Sequence, residues 1–185
     1  MSKIILFNMM TLDGYFEGPD REIDWHNVDD EFNEFAIEQL NNASLLIFGR
    51  VTYELMASYW PSPDALKNDP VVAGKMNSLP KVVFSKTMRK AGWNNTRLLT
   101  GDPVKECKKL KEANEKNIFV FGSANLASTL IKHDLIDEYR IMINPVILGN
   151  GISLFKPATE RRQMVLIKSR TFRSGNVLLF YRSMK

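Results

Sequence analysis

The stretch LLIFGRVTYELM, residues 45–56, decides the fold class of this chain. Its first four residues, Leu45 to Phe48, are all apolar, which predicts a short strand buried on both faces. Gly49 ends the strand, and apolar residues recur every four positions from Arg50 to Tyr59, which predicts a helix. A buried strand followed directly by a helix is typical of α/β proteins.

The same succession recurs along the chain. Ile4 to Met9 and Lys81 to Phe84 predict two further buried strands. Ile118 to Phe121 predict another, which ends at Gly122, and Ser123 can cap the helix that follows. Repeated strand–helix units predict a central, mostly parallel sheet that is flanked by helices.

The C-terminal part has a different character. Tyr139 to Asn144 and Gln163 to Phe172 predict long strands, and Val177 to Arg182 predict the return strand of an antiparallel hairpin. Residues 61–80 contain four prolines and predict a loop with a short helix near Val71 to Met76. The expected fold is therefore α/β, with a mixed, mostly parallel sheet and a C-terminal hairpin, in one domain of all 185 residues.

The composition favours a small-molecule protein over a nucleic-acid binder. The chain is 44% hydrophobic and 25% charged, as in ordinary folded domains, with a net charge of +4. Its most basic stretch, Lys105 to Lys116, also contains three glutamates, which is typical of an exposed helix face. The mild positive charge suits an anionic ligand such as a phosphorylated cofactor.

Neither a disulfide nor a membrane segment is expected. Cys107 is the single cysteine, and a packed position on a helix is the simplest interpretation. The segment from Met1 to Met10 lacks the features of a signal peptide, and no apolar stretch reaches the roughly 20 residues that span a bilayer. We therefore expect a cytoplasmic protein without a metal site, a membrane partner or a nucleic-acid partner.

The residues at the strand ends favour a phosphate-bearing ligand. Unpaired N–H groups at a helix start attract phosphate, and Gly49 lets a ligand approach the backbone closely. Arg50 can add a bidentate contact and Thr52 a hydroxyl donor, while Lys86 and Arg89 can hold the extra phosphate of NADP. The fingerprints of Rossmann and P-loop proteins are missing, which disfavours both classes.

Seven motifs in order carry a resemblance to a known family. They are residues 11–15 (TLDGY), 49–54 (GRVTYE), 81–85 (KVVFS), 122–127 (GSANLA), 135–138 (LIDE), 145–151 (PVILGNG) and 154–155 (LF). Together they cover almost the whole chain. The chain resembles the reductase domain of riboflavin biosynthesis and its stand-alone relatives, which share the dihydrofolate reductase fold.

The resemblance implies an NADPH cofactor and assigns its site by position. Members often form homodimers through the region that corresponds to Asp137 to Phe155. Asp13 and Gly14 match the loop beside the nicotinamide. The residues that match the three phosphate-binding turns are Gly49, Arg50, Thr52, Ser85, Lys86, Thr87, Gly122, Ser123, Ala124 and Leu126.

The chain departs from the family pattern in two respects. The pyrophosphate turn usually has two glycines, and Ser123 stands at the second. The zinc deaminase domain of the two-domain riboflavin enzymes needs several cysteines, which a chain with Cys107 alone cannot supply. We therefore expect a stand-alone reductase-like domain.

The expected reaction is hydride transfer from NADPH to a small polar substrate, such as a pyrimidine, a pteridine or a related carbonyl or imine. Asp13 is the first candidate to supply or relay the accompanying proton, with Glu17 and Asp24 behind it. His26 lies in the same acidic loop, where it is either a further pocket residue or, as the acidic neighbours favour, a surface histidine. The aromatic residues expected to wall the substrate pocket are Trp25, Tyr53 and Trp60.

Two other functions are compatible with the same sequence. The first is a module of this fold that binds a nucleotide without turnover, because no residue is an unambiguous acid. The second is nucleic-acid binding, which only the pI of about 9.1 suggests. Titration with NADPH and with NADH tests the cofactor, turnover of a substrate panel separates a reductase from a binding module, and a salt-dependent shift with DNA would indicate nucleic-acid binding.

Overall fold

The computed structural model describes residues 2–156 and 161–184, which form ten strands and six helices. The strands are β1 (Ile4–Thr11), β2 (Tyr15–Glu17), β3 (Ala43–Gly49), β4 (Lys81–Phe84), β5 (Thr96–Leu99), β6 (Asn117–Phe121), β7 (Glu138–Asn144), β8 (Ile152–Ser153), β9 (Met164–Thr171) and β10 (Val177–Ser183). The helices are α1 (Asp30–Asn41), α2 (Arg50–Tyr59), α3 (Pro63–Asn68), α4 (Pro70–Ser78), α5 (Pro103–Ala113) and α6 (Ala124–Lys132).

Eight strands form one mixed sheet in the order β5-β4-β3-β6-β1-β7-β10-β9. The six strands from β5 to β7 in that order pair in parallel, whereas β10 runs antiparallel to both of its neighbours. The predicted mixed, mostly parallel sheet and its C-terminal hairpin are therefore confirmed. Separately, β2 and β8 pair as a short antiparallel ribbon.

The core lies on both faces of the sheet. Every residue of β1 is buried, because helices cover the sheet on each side. On one face Leu6 packs in a cluster with Leu130 of α6 and with Cys107 of α5, which confirms the packed position of the cysteine. On the other face Ile5 packs in a cluster with Phe48. Burying this apolar surface supplies the main favourable free energy of folding.

Residues 61–80 correct the predicted loop. They contain two helices, α3 and α4, and each begins with a proline, Pro63 and Pro70. A proline in the first turn lacks only an N–H that has no helical partner, so proline content does not exclude helices here. The short helix predicted near Val71 to Met76 is confirmed as part of α4.

Three short strands have no clear signal in the sequence. The strand β5 is a half-exposed edge strand with the sequence TRLL, and the ribbon of β2 and β8 has only three and two residues. Such short elements form because a neighbouring strand offers backbone partners, not because of their own periodicity. Within residues 2–156 and 161–184, no helix is long and apolar enough to cross a bilayer.

Candidate functional site

A groove of about 660 Å³ opens where β3, β4 and β6 end. Because these strands are parallel neighbours, their carboxyl ends meet at one edge of the sheet, which is where α/β folds bind ligands. The groove is lined by nine of the residues expected to bind the cofactor, namely Gly49, Arg50, Thr52, Ser85, Lys86, Thr87, Ser123, Ala124 and Leu126.

Two helices present uncapped N-termini to this groove. The side chains of Asp29, Ser62 and Asp102 cap α1, α3 and α5. In contrast, Gly49 and Ser123 give α2 and α6 no side-chain cap. The helix α4 also lacks one, but its first turn is not part of the groove lining. The N–H groups at the start of α2 and α6 are therefore available to an anion.

Hydrogen bonds tie the turn after β3 to the turn after β6. The Gly49 N–H donates to Ser123 Oγ at 2.9 Å, and the Ser123 N–H donates to Thr52 Oγ1 at 3.0 Å. The two hydroxyl oxygens are also 3.0 Å apart. We call Gly49, Thr52 and Ser123 the hydroxyl clasp, since these contacts fix the separation of the two helix starts.

Gly122 lies behind the hydroxyl clasp rather than in the groove lining. Its φ of +62° favours glycine, and a Cβ there would lie 2.6 Å from Thr52 Oγ1. A Cβ at Gly49 would lie 2.5 Å from Ser123 Oγ. Both glycines are therefore required for the close approach of the two turns.

The charged side chains of the groove are mostly cationic. Arg50 and Lys86 line it on the side of α2 and β4, and Arg21 and Lys156 line it on the side of the ribbon. The Arg50 guanidinium donates to Glu54 at 2.8 Å in an exposed pair, which leaves it accessible to a ligand. The predicted phosphate contact of Arg89 has no support, because Arg89 is not part of the lining.

The turn after β4 is held by a serine. Ser85 Oγ accepts hydrogen bonds from the N–H groups of Thr87 and Met88, at 3.2 and 3.0 Å. This turn fixes the backbone beside Lys86, whose side chain is exposed at the groove. A hydroxyl, a backbone turn and a cation are suited to a phosphate group.

Asp13 holds a loop instead of facing the groove. Its carboxylate accepts from the N–H of Leu148 at 3.3 Å and of Gly149 at 2.8 Å. The Thr11 side chain and these backbone N–H groups lower the pKa of Asp13, so the side chain is ionised at neutral pH. This geometry does not support the expected proton donor, because both carboxylate oxygens accept from the loop and Asp13 lies outside the groove lining. Gly14 has a φ of +91° and likewise lies outside the groove lining.

The three aromatic residues expected in the substrate pocket do not line the groove. Tyr53 is only 3% exposed, and its hydroxyl accepts a hydrogen bond from the Trp93 backbone N–H at 2.9 Å. Adjacent helix residues point in different directions, so Tyr53 faces the core while Thr52 faces the hydroxyl clasp. Trp60 packs on the same core cluster and donates to Met56 Sδ at 3.1 Å. Trp25 stacks edge-on against His26.

His26 is not the surface residue that the sequence favours. Its Nε2 atom is buried without a hydrogen-bond partner among the described residues. Burial lowers the pKa of His26 to about 4, so the imidazole is neutral at physiological pH.

Several lining residues were not predicted from the sequence. Phe16 and Phe84 give the groove its aromatic walls, and beside Phe16 lies Glu17, which the sequence offered only as a secondary candidate behind Asp13. Phe84 is the last residue before Ser85, and this position at a strand end was the available signal. Nothing in the local sequence indicates that the ribbon folds Phe16 and Glu17 over the groove, because β8 is contributed by residues far along the chain.

The fold and the groove together define the class of protein. A crystal structure of the Shewanella sp. PV-4 "Putative riboflavin biosynthesis protein" superposes with a TM-score of 0.77 at 24% identity, over 99% of each chain. Dihydrofolate reductase from Enterococcus faecalis, complexed with NADP(H), superposes with a TM-score of 0.66 at 12% identity, over 99% of this chain and 97% of that one. The dihydrofolate reductase-like fold is therefore confirmed.

The family follows from the sequence comparisons. The model of the RibD C-terminal domain matches residues 2–178. The Bacillus subtilis (strain 168) protein named "Uncharacterized protein YyaP" is 33% identical over 181 residues, which are 97% of this chain and 94% of that protein. This chain belongs to the RibD C-terminal domain family, as its seven motifs predicted.

Proposed function

We propose that this protein is an NADPH-dependent reductase of a small polar substrate, such as a pyrimidine, a pteridine or a related carbonyl or imine. The observation that carries the proposal is the groove at the ends of β3, β4 and β6, into which α2 and α6 direct uncapped N-termini. The family supports the same activity, because this chain superposes on 57% of the Thermotoga maritima diaminohydroxyphosphoribosylaminopyrimidine deaminase/5-amino-6-(5-phosphoribosylamino)uracil reductase.

The residues of the groove fit a dinucleotide. The N-termini of α2 and α6, with Arg50, would hold the pyrophosphate. Ser85, Lys86 and Thr87 would hold the 2′-phosphate that distinguishes NADPH from NADH. Bound NADPH would supply the hydride, while the protein orients the nicotinamide and excludes water.

A fluorescence titration with NADPH and with NADH tests the proposal. We expect saturable binding of NADPH and a weaker response to NADH. Arg50→Ala should weaken NADPH binding about tenfold or more, because one charge-assisted contact is lost. Arg97→Ala, an exposed arginine on β5 outside the groove, is the matched control and should bind as the wild type does. Absence of binding to both nucleotides would refute the proposal.

We also propose a homodimer, to which the exposed edge of the sheet contributes beside the expected region. Ile141 and Met142 of β7 are buried between β1 and β10, whereas Ile147 and Phe155 of the expected region are exposed. The sheet ends at β9, whose Met164, Leu166 and Ile167 are exposed. An edge strand with exposed apolar side chains is suited to pairing with a second copy.

A further inference from the structure

We propose that Glu17 is the general acid of this reductase and protonates the substrate as hydride arrives. The inference rests on the proposed reductase function and adds the residue that completes its chemistry. Reduction of a carbonyl or an imine needs one proton on the oxygen or nitrogen besides the hydride on carbon, and a side chain must supply it or relay it from water.

The composition of the groove leaves one carboxyl for this role. Among the described residues that line the groove, Glu17 is the single acidic side chain, and the lining contains no histidine, cysteine or tyrosine. The other ionisable groups there are Arg21, Arg50, Lys86 and Lys156, which suit phosphate binding. The Asp13 carboxylate accepts hydrogen bonds from the backbone of another loop.

The surroundings of Glu17 favour the protonated form of its carboxyl more than water does. The residue is 9% exposed, and it lies on β2 beside Phe16, whose ring lines the same groove. Within the described part of the chain, no donor hydrogen-bonds the carboxylate. Burial raises the pKa of Glu17, and the nearby Arg21 guanidinium opposes this only in part. A raised pKa brings a carboxylic acid closer to neutral pH, where it can donate a proton.

The ribbon determines where Glu17 lies. The Glu17 backbone pairs with Ile152 of β8, and a Cβ at Gly151 would lie 2.5 Å from the Glu17 carbonyl oxygen. This close approach fixes the strand whose carboxyl lines the groove. The backbone is therefore positioned, although the carboxyl itself has no hydrogen-bond partner among the described residues.

The proton and the hydride reach the substrate from different groups. Glu17 gives its proton to the substrate oxygen or nitrogen, while the substrate carbon accepts hydride and its electron pair from bound reduced nicotinamide. The π bond of the C=O or C=N group breaks, and its electron pair forms the new O–H or N–H bond. The Glu17 carboxylate then regains a proton from water.

Glu17→Gln tests the role, because it keeps the size of the side chain and removes the acid. The probes are NADPH with 9,10-phenanthrenequinone, a dicarbonyl, and with 7,8-dihydrofolate, a cyclic imine. We expect kcat to fall by about 100-fold or more, with NADPH affinity changed less than about threefold. The wild-type kcat should decline as Glu17 loses its proton with rising pH. The residual kcat of the variant should not show this decline. Asp20→Asn, an exposed acid of the same loop, is the matched control.

A second readout does not depend on turnover. Because the folded state holds the Glu17 proton more tightly than the unfolded state, wild-type stability is lost as the pH rises through the folded pKa. The Tm of Glu17→Gln minus the Tm of the wild type should therefore be more positive at pH 8 than at pH 4. A difference that does not change with pH would overturn the proposal.

The outcomes separate this inference from the proposed function. A Glu17→Gln variant with full kcat and an unchanged pH profile would overturn the acid role and leave the reductase intact. A wild-type protein that binds NADPH but reduces neither the two probes nor a panel of pyrimidines would overturn the reductase proposal, and the acid role with it.

Discussion

Ser123 adopts a backbone conformation that glycine usually occupies. Its φ of +58° is left-handed, as is that of Gly122 directly before it. For a residue with a Cβ this conformation costs roughly 1 kcal/mol. The hydroxyl offsets that cost through its contacts with the Gly49 N–H and with Thr52. The departure from the two-glycine pattern is therefore compensated within the hydroxyl clasp.

Removal of this hydroxyl should have two effects. Ser123→Ala leaves the Gly49 N–H without its partner, so we expect a loss of about 1–2 kcal/mol in the free energy of unfolding. NADPH affinity should also fall, because the spacing of the two helix starts is no longer fixed. Denaturant unfolding and fluorescence titration measure the two effects. Ser58→Ala, an exposed serine on α2, is the control, and equal stability losses in both variants would contradict the clasp.

Lys86 should discriminate between the two nicotinamide dinucleotides. We expect Lys86→Ala to weaken NADPH binding about tenfold and to leave NADH binding nearly unchanged, because only NADPH carries the 2′-phosphate. The effect should shrink at high salt, since an exposed ion pair is screened. The control is Lys90→Ala, an exposed lysine outside the groove. Equal losses for both nucleotides would count against the assigned phosphate site.

His26 should make the protein sensitive to acid. The folded state holds the pKa of His26 at about 4, below its ordinary value of 6.5, so the unfolded state binds the extra proton first. Stability should therefore be lost as the pH falls from about 6.5 to about 4, by roughly 3 kcal/mol in total. Chemical denaturation of wild type and His26→Gln over this range measures the effect. A variant with the same pH slope as the wild type would show that another group is responsible.

At the scale of the element, the ribbon of β2 and β8 depends on Gly151. A side chain there would meet the Glu17 carbonyl oxygen and the Tyr15 ring, at 2.5 and 2.9 Å from its Cβ. We expect Gly151→Ala to destabilise the fold by about 1–3 kcal/mol, because backbone atoms must move. Thermal and denaturant unfolding measure this loss.

The control for the ribbon is a glycine with free space around it. Gly74 lies in α4, and a Cβ there would meet nothing within 4 Å. Gly74→Ala should stabilise the protein by roughly 0.5–1 kcal/mol, since alanine favours helix. If Gly151→Ala proved as harmless as Gly74→Ala, the close approach at the ribbon would be refuted.

At the scale of the whole molecule, the edge strand β9 should carry the dimer contact. A double variant, Leu166→Lys with Ile167→Lys, places charge on the exposed apolar edge and should convert a dimer into a monomer. Light scattering on a size-exclusion column measures the mass. The control is Lys168→Glu with Arg182→Glu, because it changes charge nearby without removing apolar surface. A dimer that survives the lysine variant would exclude β9 as the interface.

The sequence alone determined the elements with strong periodicity and the turns between them. Buried strands such as Leu45 to Phe48 are apolar because helices cover both faces of the sheet, and that pattern is local. Because parallel neighbours end at one edge, the sequence could also predict that Gly49, Ser85 and Ser123 line one groove.

Tertiary contacts determine which loop residues line the groove. Tyr53 was predicted to face it and lies in the core, while Glu17 was a secondary candidate and lines it. The direction of a side chain on a loop depends on contacts with distant segments, here the pairing of β2 with β8 across more than a hundred residues. Because the local sequence does not encode such a pairing, it could not show that Glu17, rather than Asp13, lines the groove.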